Sequence, residues 1–254
     1  MPRPSKLYKY QPYSILSLDN LKNRHLWFSK PSKFNDPFDC AIQPVVSDPS
    51  EEEWRTLYQD ARDDVTNKER FDLVYTVERS YNERFKSHIK SMTQKYLQDR
   101  LHVTLHERGV ACFSETCDNL LMWSHYTNGH RGFCLEYDTR YDPFDKANRV
   151  DYSETFPSLN PIEFIREGPS EELMGLVWTK SLHWTYEKEW RVFHKTGDQM
   201  YALKVPALTA IYLGCAMPQA HREIIALLLA GSRTQLHQMV KVPGEFKLLV
   251  RVFG

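Results

Sequence analysis

The stretch FDLVYTVERSYNERFKSHIKSMTQKY, Phe71 to Tyr96, decides how this chain is read. Val74, Val77, Tyr81, Phe85, Ile89, Met92 and Tyr96 recur every three or four residues, the spacing that gathers apolar side chains on one face of a long helix. Neither glycine nor proline stands between Pro49 and Gly109, so nothing punctuates it. Glu51 to Val65 predicts a shorter helix ahead of it, with Glu51, Glu52 and Glu53 at the positive end of the helix dipole. Together they form a helical insert at about 50–106.

Outside the insert the pattern changes to short runs rich in β-branched and aromatic residues, bounded by turn residues. These predict strands at Leu7–Tyr10, His25–Ser29, Val110–Ser114, Gly132–Tyr137, Trp190–His194, Tyr201–Val205, Ala210–Gly214 and Phe246–Phe253. Helices are expected at Ser14–Asn23, Asn119–Asn128 and Pro218–Leu229, the last with proline near its first turn and Gly231 beyond its end. Strands and helices do not alternate as a doubly wound sheet requires, so the class is α+β. No repeat or flexible linker divides the chain, which reads as a single domain over 1–254.

Composition narrows the function. With Lys+Arg and Asp+Glu both at 33, no overall field draws the chain to nucleic acid or an anionic membrane. Cysteines at 40, 112, 117, 134 and 215 are odd in number and lack paired C-x-x-C spacing, as expected of reduced thiols rather than a disulfide framework or structural metal site. The N-terminus lacks a signal-peptide apolar core and no run of about 18 apolar residues is present, so a cytoplasmic protein without membrane contact is expected. G-x-G-x-x-G, P-loop, G-x-S-x-G and H-E-x-x-H motifs are absent.

Three blocks could carry chemistry. The first, Phe28 to Asp39, reads as a stiff polar turn with Phe34 and Phe38 tucked inward. It is either a structural turn or a rim presenting Ser29, Asn35, Asp36 and Asp39 to a ligand. The second combines Ser114 with Trp123, His125 and Tyr126 on a helix and Arg131 just beyond. It is either a packed aromatic face or a platform for a planar ring. The third runs from Trp184 to Val192. As a strand it would place Glu187, Glu189 and Arg191 on one side and Tyr186, Lys188, Trp190 and Val192 on the other. That face is either solvated, or a site in which Arg191 orients one glutamate while the other is raised by its like-charged neighbour. Lys180 could reach a phosphate, although a lone lysine is usually solvent-exposed.

The blocks LYKY, LWFSKPSKFNDPFDC, ACFSE with NLLMWSHYTNGHRGFCLEYD, and LHWTYEKEWRVF together resemble a bacterial and phage family known as domain of unknown function 2971, from Leu7 to about Gly214. The family name implies no activity. The order of strands and the late Glu-x-Glu are also similar to the ADP-ribosyltransferase fold, whose members use NAD as substrate. That resemblance implies a split, mainly antiparallel sheet. It puts Lys9 or Tyr10 in the first-strand place, Ser29 or Ser114 in the serine place, and Glu189, preceded by Glu187, in the catalytic place. It implies that Glu189 stabilises the oxocarbenium-like cation, that Tyr126 or Tyr10 stacks the nicotinamide, that Arg191 positions the glutamates and that Lys180 or Arg131 meets the pyrophosphate. Neither arginine nor histidine stands at the first strand, where the family pattern has one. On this reading Glu189→Gln abolishes activity with thermal stability nearly unchanged, as for a carboxylate in a surface cleft.

Two other classes are weighed. A Mg²⁺-dependent nuclease would gather Asp36, Asp39, Glu136 and Glu187 on a metal, with Lys180 or Lys188 beside the phosphate. A non-catalytic module of a toxin or phage-defence system would recognise a partner protein or nucleotide, and would expose Trp123, Trp184 and Trp190 where a catalytic cleft gathers them around buried acids.

Overall fold

The computed structural model describes residues 2–40, 45–63, 83–162, 177–204 and 206–253. Its centre is an eight-stranded sheet in the order β14-β13-β12-β5-β1-β4-β10-β6. The strands are β1 (Lys6–Gln11), β4 (Gly109–Ser114), β5 (Phe133–Asp138), β6 (Asn148–Arg149), β10 (Glu189–His194), β12 (Leu208–Leu213), β13 (Gln235–Lys241) and β14 (Leu248–Val252). Every pairing is antiparallel except β12 with β13. A parallel pair needs a crossover, supplied by the helix Gln219–Leu228 between them. Smaller pairs join β2 (His25–Phe28) to β11 (Gln199–Ala202), β3 (Val45–Val46) to β8 (Ser158–Leu159), and β7 (Asp151–Ser153) to β9 (Thr179–Ser181). The α+β class and the mainly antiparallel sheet stand as expected, and among the described residues no helix is long and apolar enough to cross a membrane.

The helices are α1 (Ile15–Asn23), α2 (Glu51–Asp63), α3 (Glu83–His106), α4 (Leu120–Tyr126) and α5 (Gln219–Leu228). Local chemistry sets their ends. Ser14 caps α1 in a reciprocal box with Ser17, and the Asn119 side chain accepts from the backbone N–H groups of Leu121 and Met122 at the start of α4. Gly231, at φ +77°, follows α5 in the left-handed conformation that glycine adopts without strain.

The two insert helices are present, while Val65, Val74, Val77 and Tyr81 lie outside the described residues. On α3 the buried line is Phe85, Ile89, Thr93, Leu97 and Leu101, a strict four-residue step. Met92, expected on that face, is exposed, because the stripe follows Thr93. Trp54 and Leu57 of α2 pack with Phe85, Ile89 and Ile162. Farther along α3, Leu97 and Leu101 pack with Val177, with Trp178 and Phe193 against them, which ties the insert to β10.

Period-two alternation gives the sheet two faces. Leu7, Ala111, Phe113, Phe133, Leu135, Trp190, Val192, Ile211 and Leu213 share the largest core with Leu21, Phe28 and Ile225. Tyr10, Cys134, Ala210, Tyr212 and Met239 form a second core with Met122 and Trp123 of α4. β1 and β5 pair along six positions, but β1 meets β4 only at Tyr8↔Ser114. The sheet therefore splays open between β1 and β4. β13 goes beyond the predicted strands, and of the expected strand Tyr201–Val205 the observed part ends at Ala202, with Val205 outside the described residues.

Candidate functional site

The splay between β1 and β4 opens into a cavity of about 180 Å³. Lys9 and Tyr10 of β1 line it with Ser29, Asn35, Asp39, Ser114, Tyr126, Lys180, Glu187 and Glu189, so ten of the fifteen sequence candidates reach one place. Tyr8, Phe34 and Cys112 join them without having been singled out. Tyr8 shares a strand face with Tyr10 on β1 and Cys112 with Ser114 on β4, so the strand period carries a signal for both.

At the floor of the cavity is a buried ionic network. Lys180 Nζ lies 2.5 Å from Glu187 Oε2, 2.9 Å from Glu189 Oε2 and 3.2 Å from Asp39 Oδ2. Arg191 grips Glu189 with two hydrogen bonds, Nε to Oε1 at 2.7 Å and Nη2 to Oε2 at 3.0 Å, and reaches Asp39 Oδ1 at 2.6 Å. Its Nη1 donates to the Val177 carbonyl at 2.9 Å. The Tyr126 hydroxyl donates to Glu187 Oε1 at 2.5 Å.

The three carboxylates come together by different local means. Glu189 and Arg191 share a face of β10 by alternation, opposite Trp190 and Val192, as predicted. Glu187 arrives otherwise. Residues Leu182–Glu187 form a 3-10 turn, not a strand, and Lys188 reverses direction at φ 45°. This leaves Lys188 exposed and Tyr186 half-buried, away from the strand face assigned to them. Asp39 is delivered by the polar turn. Asp36 Oδ1 accepts from the Phe38 N–H at 2.9 Å, stiffening the turn, and Cys40 continues it at φ 56°. Phe38 is 66% exposed rather than tucked inward, because the turn swings Asp39 to the interior in its place.

Electrostatics separates the two glutamates. Burial alone would raise Glu189, but Arg191 and then Lys180 outweigh it and hold the carboxyl well below the usual range. Glu187 is pushed up by burial and by Glu189, against the pull of Lys180 and Tyr126. Burial disfavours the Lys180 ammonium, yet Glu189, Asp39 and Glu187 overcome it and raise its pKa. On the opposite wall Lys9 is lowered, chiefly by burial, with Cys112 and Glu189 opposing.

Several expectations need correction. Lys180 is 7% exposed and bound to three carboxylates, so it is neither a solvated lone lysine nor free for a pyrophosphate. Glu189 is 3% exposed and Arg191 0%, which rules out a solvated face and removes the premise that Glu189→Gln leaves stability unchanged. Five candidates do not line the cavity. Arg191 sits behind Glu189. Trp123 is buried against Tyr10, its Nε1 donating to the Cys117 carbonyl at 2.7 Å. His125 is exposed beside Tyr126 and Tyr186, Arg131 is exposed beyond α4, and Asp36 serves the turn. Tyr10 packs edge-on to Trp123 and donates to the Thr116 carbonyl at 2.8 Å, so it forms wall rather than a free stacking platform.

The proposed nuclease set does not converge. Glu136 on β5 binds Lys6, Thr209 and Tyr212, and only Asp39 and Glu187 meet, with the Lys180 ammonium between them. Among the described residues no three His, Cys, Asp or Glu side chains are arranged to hold a metal. Trp123 and Trp190 are buried, which disfavours the recognition surface that would have exposed them. Trp184 is half-buried, with Lys180 Nζ 5.0 Å from its ring centroid.

Residues 122–192 match the family described as Protein of unknown function (DUF2971), in agreement with the resemblance read from the sequence. No curated protein and no solved structure matches the chain. The matched segment carries α4 from Met122 onward, Lys180, both glutamates and Arg191, while Lys9 and Asp39 come from outside it.

Proposed function

Starting from a chain whose residues 122–192 match the DUF2971 family, we propose that the cleft cleaves the N-glycosidic bond of a nicotinamide dinucleotide and passes the ADP-ribosyl group to an acceptor or to water. One observation carries this reading: the Glu189 carboxylate, fixed by the two-point grip of Arg191 and kept anionic, stands at the floor of a cavity walled by Tyr8, Phe34, Phe113 and Tyr126.

Loss of nicotinamide leaves positive charge on the ribose C1″ and its ring oxygen. A carboxylate already oriented and already ionised stabilises that charge without reorganising. Arg191 acts through Glu189 by fixing its plane, and Asp39 in turn fixes Arg191. Glu187, raised toward its neutral form, is suited to exchange a proton with the acceptor. A cavity of about 180 Å³ holds one ring and its sugar, so the adenosine half would lie over the open rim near Asn35.

The test is release of nicotinamide from NAD by the purified chain, followed by liquid chromatography, together with Glu189→Gln checked for its native circular dichroism spectrum. Release by the wild type and its loss from folded Glu189→Gln support the reading. Absence of nicotinamide release by the wild type, or full release by the variant, overturns it.

A further inference from the structure

Two lysines line the cleft and they are held differently. Lys180 is enclosed by three carboxylates. Lys9 Nζ donates to the Cys112 backbone carbonyl at 3.2 Å and lies 5.2 Å from the Phe113 ring centroid, and no described carboxylate is within ion-pair distance of it. It projects from the strand that borders the splay, into the same cavity as Glu189 and Tyr126.

We propose that Lys9 is a reactive amine, which captures an aldehyde or ketone entering the cleft as an imine. The Nζ lone pair attacks the carbonyl carbon, and the displaced C=O electron pair goes to oxygen, which takes a proton. Nitrogen then gives up a proton to water, the carbinolamine hydroxyl takes up a proton and leaves as water as the nitrogen lone pair forms C=N, and the iminium returns its remaining N–H proton to water. The net change is amine plus carbonyl to imine plus water, with no oxidant or reductant. The inference stands on the cleft geometry and does not rest on the glycosidic reading.

The surroundings favour this chemistry over simple anion binding. An ammonium that receives an anion is ordinarily kept charged by its neighbours, whereas Lys9 meets a neutral backbone carbonyl with no described carboxylate within ion-pair distance, and burial shifts it toward the neutral, nucleophilic amine. Glu189 from β10 and the Cys112 thiol from β4 oppose that effect, and the Phe113 face weakly favours the cation. Tyr8 and Tyr10 flank Lys9 on its own strand, and Asp39, Lys180, Glu187 and Tyr126 complete the ionisable lining. The cavity suits a small carbonyl, such as the open-chain aldehyde of a pentose, with hydroxyls facing Ser29 and Asn35.

The folded full chain is treated with limiting ¹³C-formaldehyde and cyanoborohydride, which passes through the imine and fixes it as N-methyl-lysine, and is read lysine by lysine by mass spectrometry. At pH 7 Lys9 is expected to label about tenfold faster than exposed Lys22 and Lys247, a ratio that shrinks at pH 10 as every amine loses its proton. In a second arm, ribose with borohydride yields a pentose adduct on Lys9. Lys9→Arg removes the nucleophilic amine, keeps the native circular dichroism spectrum and loses that adduct. Labelling of Lys9 at pH 7 no faster than the exposed lysines, or ribose adducts undiminished in folded Lys9→Arg, would overturn the proposal. Neither arm involves NAD, so failure here is distinguishable from failure of the glycosidic reading.

Discussion

Replacing Arg191 with methionine is the sharpest test of the network beneath the cleft. The guanidinium makes five polar contacts within 3.0 Å: two with Glu189 and one each with Asp39, the Val177 carbonyl and Cys40 Sγ. Methionine fills much of the volume but takes the guanidinium from two buried carboxylates, Glu189 and Asp39, and leaves them to share Lys180 with Glu187. Removing one partner of such a pair costs about 3–5 kcal/mol. Unfolding entropy of about 2.1 cal/mol/K per residue, taken over the whole chain, is roughly 0.5 kcal/mol per degree, so the melting temperature should fall by about 6–10 °C. The fall should depend on pH. In the wild type Glu189 has a depressed pKa, so its contribution is present above the ordinary carboxylate range and is lost as pH drops toward the folded value. Without Arg191 the largest opposing charge is gone and burial moves the carboxyl upward against Lys180 alone, so protonation at pH 4 relieves part of the penalty seen at pH 7. Adding Glu189→Gln to the first change should cost about 1–3 kcal/mol less than the sum of the two singles. Calorimetry at both pH values reads all of this. A melting shift under about 2 °C at pH 7, or equal shifts at both pH values, would refute the reasoning.

Three further outcomes are expected. Gly132→Ala places a Cβ 2.1 Å from the Gln11 carbonyl oxygen and 3.0 Å from Pro12 Cα, both backbone atoms, so a loss of about 1–3 kcal/mol should appear as a lower urea midpoint with unchanged slope. Lys180→Met strips the shared ammonium from Asp39, Glu187 and Glu189. Its destabilisation should be largest near neutrality and shrink in acid, and a pH-independent melting shift would contradict the ion-pair account. Tyr126→Phe removes a donor that pulls the Glu187 pKa down, so the Glu187 limb in the pH profile of nicotinamide release should move to higher pH. An unmoved limb would disconnect Glu187 from the reaction.

Local information in the sequence went a long way toward the fold. Ser14, Asn119 and Gly231 mark helix ends by their own capping chemistry, and the alternation Glu189-Trp190-Arg191-Val192 assigns strand faces wherever the strand is placed. β13 is not legible in the sequence because Gln235, His237, Gln238 and Lys241 interrupt its apolar pattern, although it pairs with β12 over Gln235–Gln238 and with β14 over His237–Lys241. The site was legible as residue types but not as a network. Lys180 reads as solvent-exposed from its neighbours, and only the return of Asp39 and of Glu187 and Glu189 to it makes burial tolerable. Asp36 and Asp39 are equivalent candidates in sequence. One bonds the turn's own backbone and the other crosses to Arg191, a choice made by the direction of the chain after Pro37.

The hydrogen bond from Arg191 to Asp39 joins positions 152 residues apart, and Cys40 is tied to the same guanidinium across 151. Closing so long a segment costs chain entropy that local helices and hairpins do not face, so these links form late in folding. A nascent chain halted before β10 lacks Glu189 and Arg191 altogether, and its Asp39 has no guanidinium to meet. Assembly of the cleft is thereby delayed until β10 has been made.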